Sequence, residues 1–151
     1  MTPEAAEHLH KAREALIKAR GLLDVMHYSD EAARAAYLAG FHAAQALISE
    51  RTGRIAKSHS GVRSTFAWLV KDDPRFDRAL VRFLGRAYRF KEVADYGTGP
   101  EAVVTVTEAE KAIASARHSS TASPVLSDDP PASIMSQTRR LAAILAADVA
   151  G

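Results

Sequence analysis

An all-α fold is predicted by three features of the sequence. Apolar residues recur at spacings of three and four along most of the first 118 positions, helix-start and helix-stop residues punctuate these runs, and the one strand-like stretch, "AVVTV", has no second strand to pair with. A helix is the conformation whose 3.6-residue turn places such residues on one face.

The elements follow in order. Thr2 before Pro3 and Glu4 is an N-cap with proline at the first helical position, and Leu9, Ala12, Leu16, Ala19, Leu23 and Met26 then mark the buried stripe of a first helix. "HYSDE" is the turn, with Ser29 or Asp30 as the cap of a second helix. From Ala32 to Ile48 that helix has only Arg34, His42 and Gln45 as strongly polar residues, so it is expected at the centre of a bundle, where its alanines and Gly40 admit close neighbours. Gly53 ends it. A third helix starts near Ser58 or Ser60 and turns Val62, Phe66 and Leu69 inward. Asp73 and Pro74 read as the start of a fourth, running to Tyr96 before Gly97 and Gly99. Thr107 and Glu110 have capping-box spacing for a fifth, with Ala109, Ala112, Ile113 and Ala116 as its stripe.

After that helix the composition turns to Ser, Pro and Asp. The expected organisation is a helical bundle over 1–118, a flexible linker over 119–135, and a short amphipathic helix that 136–151 could form.

A chain of 151 residues with 47% hydrophobic content buries one sizeable core. Its opening, "MTPEAAEHLH", lacks the basic-then-apolar order of a secretory signal, and no apolar run approaches the roughly 18 residues that span a bilayer. A cytoplasmic protein without membrane contact is expected. With no cysteine, thiolate catalysis and cysteine metal sites are excluded. His8 and His10 lie on opposite sides of a helix and no His-Glu-x-x-His spacing occurs, so no metal is expected; with no glycine-rich phosphate loop either, neither is a nucleotide cofactor.

The net charge of +2 hides an asymmetry. Between Arg51 and Lys91 eleven Lys/Arg face three Asp/Glu, whereas the rest of the chain is acidic. On the fourth helix Arg75, Arg78, Arg82, Arg86 and Arg89 fall within an arc of roughly 80°, beside an apolar face of Phe76, Ala79, Phe83, Ala87, Phe90 and Ala94. Like charges one turn apart cost roughly a few tenths of a kcal/mol each unless anions sit between them. Only Asp77 and Glu92 are near enough in sequence, on a flank. The stripe, with Lys57 in the preceding connection, therefore reads as a surface for nucleic acid or an acidic partner; pairing with acids of the first two helices is the structural alternative.

"YLAGFHAAQALI" (37–48), "KSHSGV" (57–62) and "ADYG" (94–97), in this order and spacing, resemble the HEPN family of small all-helical prokaryotic proteins over residues 30–118. The resemblance implies a four- to five-helix up-and-down bundle, frequent homodimers, and frequent pairing with a minimal nucleotidyltransferase antitoxin in toxin–antitoxin or stress modules. Some members are metal-independent endoribonucleases that use an Arg followed four to six residues later by a His. "RIAKSH" offers Arg54 and His59 at that spacing, with histidine to move a proton and arginine to stabilise phosphorane charge. Here the pair precedes the third helix, whereas in those members it lies on a late helix, and Lys91 stands where relatives commonly carry arginine. The structural alternative for His59 is a helix-start residue whose ring bonds the neighbouring motif.

The family-like motifs add His42, Ser60, Lys91, Asp95 and Tyr96, as structural or functional residues. His42 reads first as a satisfied core histidine. An aspartate at a helix C-terminus opposes the helix dipole, so Asp95 needs a cationic or hydroxyl partner, Lys91 or His59. The expected function is a nucleic-acid- or partner-binding component of a prokaryotic toxin–antitoxin or stress module. The alternative is RNA cleavage by Arg54 and His59.

Overall fold

The computed structural model describes residues 1–74, 76, 78–99 and 102–121. Among them are five helices and no strand: α1 (Pro3–Asp24), α2 (Ser29–Thr52), α3 (His59–Val70), α4 (Arg78–Tyr96) and α5 (Val106–Thr121). The all-α bundle and the helical reading of the chain hold. From residue 122 on, the expected linker and last helix lie outside the described residues, as do Arg75 and Asp77.

The central helix is α2, which packs on each of the other four. Its alanines are the reason: Ala32, Ala33, Ala36, Ala39, Ala44 and Ala46 are all fully buried, and each lets a neighbouring helix come close. At Gly40 the approach is close enough that a Cβ there would lie 2.7 Å from the ring of Phe83 on α4. One core cluster joins α1, α2 and α5 around Leu16, Ala36 and Ile113. A second joins α2, α3 and α4 around Tyr37, Phe66 and Leu84.

Several helix ends follow the sequence signals. Thr2 accepts the Ala5 N–H at 3.1 Å, and Gly53 closes α2 in the left-handed conformation at φ 64°. Ser58 caps α3. Other ends differ. α1 stops at Asp24, His27 takes φ 60°, and Met26 lies exposed beyond the helix. Ser29 and Asp30 are helical residues, with Tyr28 at the cap position. The Ser29 hydroxyl instead donates to the Val104 carbonyl at 2.6 Å, tying the start of α2 to the segment before α5.

Asp73 does not start α4 either. Its carboxylate pairs with Arg51 at 3.1 Å, the Phe76 N–H donates to the Asp73 carbonyl in a turn, and Phe76 meets the Phe66 ring edge-on at 5.9 Å. The helix begins after this anchor, at Arg78. Its fully buried residues are Leu84 and Ala87, and Phe83 and Phe90 of the expected stripe are half-buried and pack against the core clusters, so the core face takes in Leu84 beside that stripe. The capping box of α5 is Thr105 with Glu108, not Thr107 with Glu110: Glu108 accepts the Thr105 N–H at 2.9 Å and Thr105 accepts the Glu108 N–H at 3.1 Å. This register buries Val104 just before the cap, while Glu110 pairs with Arg20 at 3.2 Å.

Candidate functional site

The motif "KSHSG" builds a rigid helix start. Ser58 Oγ accepts the Gly61 N–H at 3.0 Å, and a Cβ on Gly61 would come within 2.6 Å of that oxygen, so glycine lets the hydroxyl sit in this position without a shift. The cap leaves His59 at the first helical position, facing α2 and α4. Its ring lies 4.5 Å from Phe41, 5.8 Å from Tyr37 and 5.4 Å from Tyr88, between centroids. Tyr37 and Phe41 are one turn apart on α2 and therefore share a face.

Nδ1 of His59 is 2.9 Å from the Tyr37 hydroxyl. Burial pushes the Tyr37 phenol up to about 12, so it keeps its proton. With Nε2 protonated, the phenol donates to Nδ1 and holds the ring. Burial is also the main reason His59 titrates below the ordinary histidine value, with the charges of Lys91, Arg63 and Arg34 adding to it and Asp95 opposing.

Those cations form the rim of the site. Arg63, one turn after His59, stacks over Tyr88 at 4.7 Å. Asp95 pairs with Lys91 at 2.8 Å and with Arg34 at 2.8 Å. The Lys91 hydrogen bond is the main cause that holds the Asp95 carboxyl below its ordinary value and, reciprocally, raises Lys91. Of the two partners expected for Asp95, the structure supplies Lys91, together with Arg34, whose role the sequence left unread. The side chains of Lys91 and Asp95 are 19% and 23% exposed, so the pair lies at the rim and is not a core ion pair.

The other expected residues are spread around this centre. Arg54 is exposed, its backbone N–H donating to Thr52 Oγ1. Lys57 and Ser60 are exposed on the same connection, and Tyr96 is exposed at the end of α4. His42 is half-buried, with Nδ1 2.8 Å from Gln45 Oε1. Gln45 in turn donates to the Ala56 carbonyl at 2.9 Å, so the pair fastens the basic connection to α2. No group of three or more histidines and carboxylates suited to a metal ion occurs among the described residues.

A second feature lies between α4 and α5. A groove of about 760 Å³ has Phe83, Ala87, Phe90 and Ala112 on its floor and Arg82, Arg86, Arg89 and Lys111 along its rim. Arg89 is engaged with Glu108 at 3.1 Å. Arg78, Arg82 and Arg86 are exposed and have no ion pair among the described residues. Among the described residues of the stripe, the expected intramolecular neutralisation is thus met at Arg89, and by α5 in place of α1 or α2. Lys111 extends the positive rim onto a second helix.

Sequence reading missed Tyr37, Tyr88, Arg63 and Arg34 as members of the His59 centre. The available signal was spacing: Tyr37 and Phe41 on one face, and Arg63 one turn from His59. A family model described as HEPN domain matches residues 5–119. No curated protein matches the chain. No described helix is long and apolar enough to cross a membrane.

Proposed function

The chain belongs to the HEPN domain family, and from that premise we propose that it is the nucleic-acid- or partner-binding component of a prokaryotic toxin–antitoxin or stress module, acting in the cytoplasm. The family carries the coarse statement, a nucleic-acid-related helical domain. What supports the finer one is a single observation: three arginines on successive turns, Arg78, Arg82 and Arg86, have no ion pair among the described residues, and Arg82 and Arg86 line an apolar groove. Such a row is electrostatically costly unless an anion completes it. Guanidinium groups suit phosphates because each presents paired donors, and half-buried Phe83 and Phe90 offer apolar surface to a base or side chain in the same groove.

The test is equilibrium binding of single-stranded RNA by the full chain over a salt series. Each phosphate contact contributes a slope of roughly 0.7 in log affinity against log salt. Changing Arg78, Arg82 and Arg86 to glutamine lowers that slope by about two units. An affinity that is negligible at low salt removes RNA, and pull-down of the neighbouring gene product, a minimal nucleotidyltransferase in the proposed module, then decides for a protein partner. A homodimer is part of the same proposal, and light scattering at tens of micromolar checks it.

A second reading is favoured by His59. Its ring is held by Tyr37, and burial, with the nearby cations adding to it, lowers its proton affinity, which suits proton transfer in metal-independent RNA cleavage, with Arg54, or Arg63 one turn away, to stabilise charge. Loss of RNA cleavage in His59→Ala with unchanged RNA affinity supports it. Absence of cleavage by the wild-type chain ends it and leaves the binding component.

A further inference from the structure

The groove between α4 and α5 combines an apolar floor with a cationic rim, and the chain itself supplies a segment of matching chemistry. Resting on the reading of this groove as an anion site, we infer that it is the docking site for the chain's own segment "PVLSDDPP", residues 124–131, with Val125 and Leu126 on the floor and Asp128 and Asp129 on Arg82 and Arg86.

Reach supports this occupant. The segment follows directly from α5, which is one wall of the groove and ends at Thr121. Seven residues separate Thr121 from Asp128, a span of up to about 25 Å. The way back along α5 from Thr121 to Ser115, at the groove's edge, is only about 9 Å.

Charge supports it too. Between Thr121 and Gln137 the only ionisable side chains are Asp128 and Asp129, both acidic and adjacent, while Arg139 and Arg140 further on would be repelled by the rim. Composition lowers the ordering cost. Pro124 before the aliphatic pair and Pro130 and Pro131 after the acids leave less backbone freedom to lose on docking. A segment that loses little freedom on docking can bind through few contacts.

The functional consequence is competition. The segment covers the arginines when no stronger polyanion is present, and a phosphate chain that binds there must displace it.

The chain has no cysteine, so Ser133→Cys carries a unique nitroxide label on the full-length protein. Docking in cis broadens the backbone NMR signals of the α4 residues around Arg82 and Arg86 and of the facing α5 turn. The broadening disappears when Asp128→Asn and Asp129→Asn are added, and it disappears in high salt. No broadening there, or broadening indifferent to the two substitutions, overturns the inference. Full broadening in a mixture where only unlabelled copies carry the observed isotope assigns the segment to a second copy and overturns the cis arrangement. The same double substitution raises affinity for polyuridylate by about fivefold, as expected for two exposed ion pairs removed from competition. If polyuridylate binds neither form, the function reading fails while the NMR result still decides the docking.

Discussion

Tyr37 and His59, on different helices, meet at 2.9 Å between the phenol oxygen and Nδ1, and this contact orients a histidine of α3 that faces both α2 and α4. Tyr37 is fully buried and Phe41 is 5% exposed, so the histidine ring stands on a closed aromatic wall and its polar edge needs a protein partner.

Removing that hydroxyl tests how much the contact stabilises. Tyr37→Phe keeps the ring packing and leaves Nδ1 without its partner, which costs about 1 kcal/mol. Urea denaturation shows this as a lower midpoint with an unchanged slope. An unchanged midpoint means that the bond only orients His59, and RNA-based assays then carry the question.

The histidines also set a pH dependence. Burial holds His59, His42 and His8 below the ordinary value, so the folded chain binds fewer protons than the unfolded chain near that pH. Their contribution is fully present above the unfolded value of about 6.5 and is lost as pH falls toward the folded values. The melting temperature should therefore fall between pH 7.5 and pH 5.5, and fall less in His59→Gln. A wild-type melting temperature flat over this range contradicts the lowered values.

Much of the architecture was legible because it is local. Thr2 with Pro3, Gly53 and the alanine-rich run of α2 each act within one turn of themselves, and the structure keeps them. The misread ends are those decided by partners far along the chain. Thr105 and Thr107 both precede an acid by three, and nothing local separates them; burial of Val104 and the claim of Arg20 on Glu110 choose the first. Asp73 likewise goes to Arg51 across the bundle. In the site, His59 and the link of Asp95 to Lys91 were visible, one by motif and one by helical spacing. Tyr37 was legible as a core residue only, because its hydroxyl acquires a role when α3 is laid against α2.

The choice of cap is open to direct comparison. Thr105→Ala removes the acceptor for the Glu108 N–H and costs about 1 kcal/mol. Thr107→Ala, inside the helix and exposed, stays within about 0.5 kcal/mol. Equal costs would mean that α5 frays between the two registers.

Gly40 tests the central packing. In an ordinary helix interior alanine is favoured over glycine by roughly 1 kcal/mol. Here the added methyl meets Phe83 at 2.7 Å, and overpacking of this kind costs about 1–3 kcal/mol. Gly40→Ala should therefore destabilise, and Phe83→Leu in the same chain should recover part of the loss because it removes the ring that is struck. A stabilised single variant would show that α4 shifts freely on α2.

The arginines of α4 separate a structural from a binding role by stability alone. Arg89 shares an exposed ion pair with Glu108, and such pairs are worth roughly 0–1 kcal/mol, so Arg89→Gln costs that much at most. Arg82 and Arg86 have no such partner among the described residues and repel each other at one-turn spacing. Exchanging both for glutamine removes the repulsion, and the unfolding free energy should stay level or rise by a few tenths of a kcal/mol. Thermal unfolding at low and moderate salt reads the difference, because added salt should narrow the gap between variant and wild type by screening the wild-type repulsion. A clear loss of stability in the double variant would mean that acids of this chain already neutralise the stripe. In that case the groove offers no open charge to an RNA or an acidic partner.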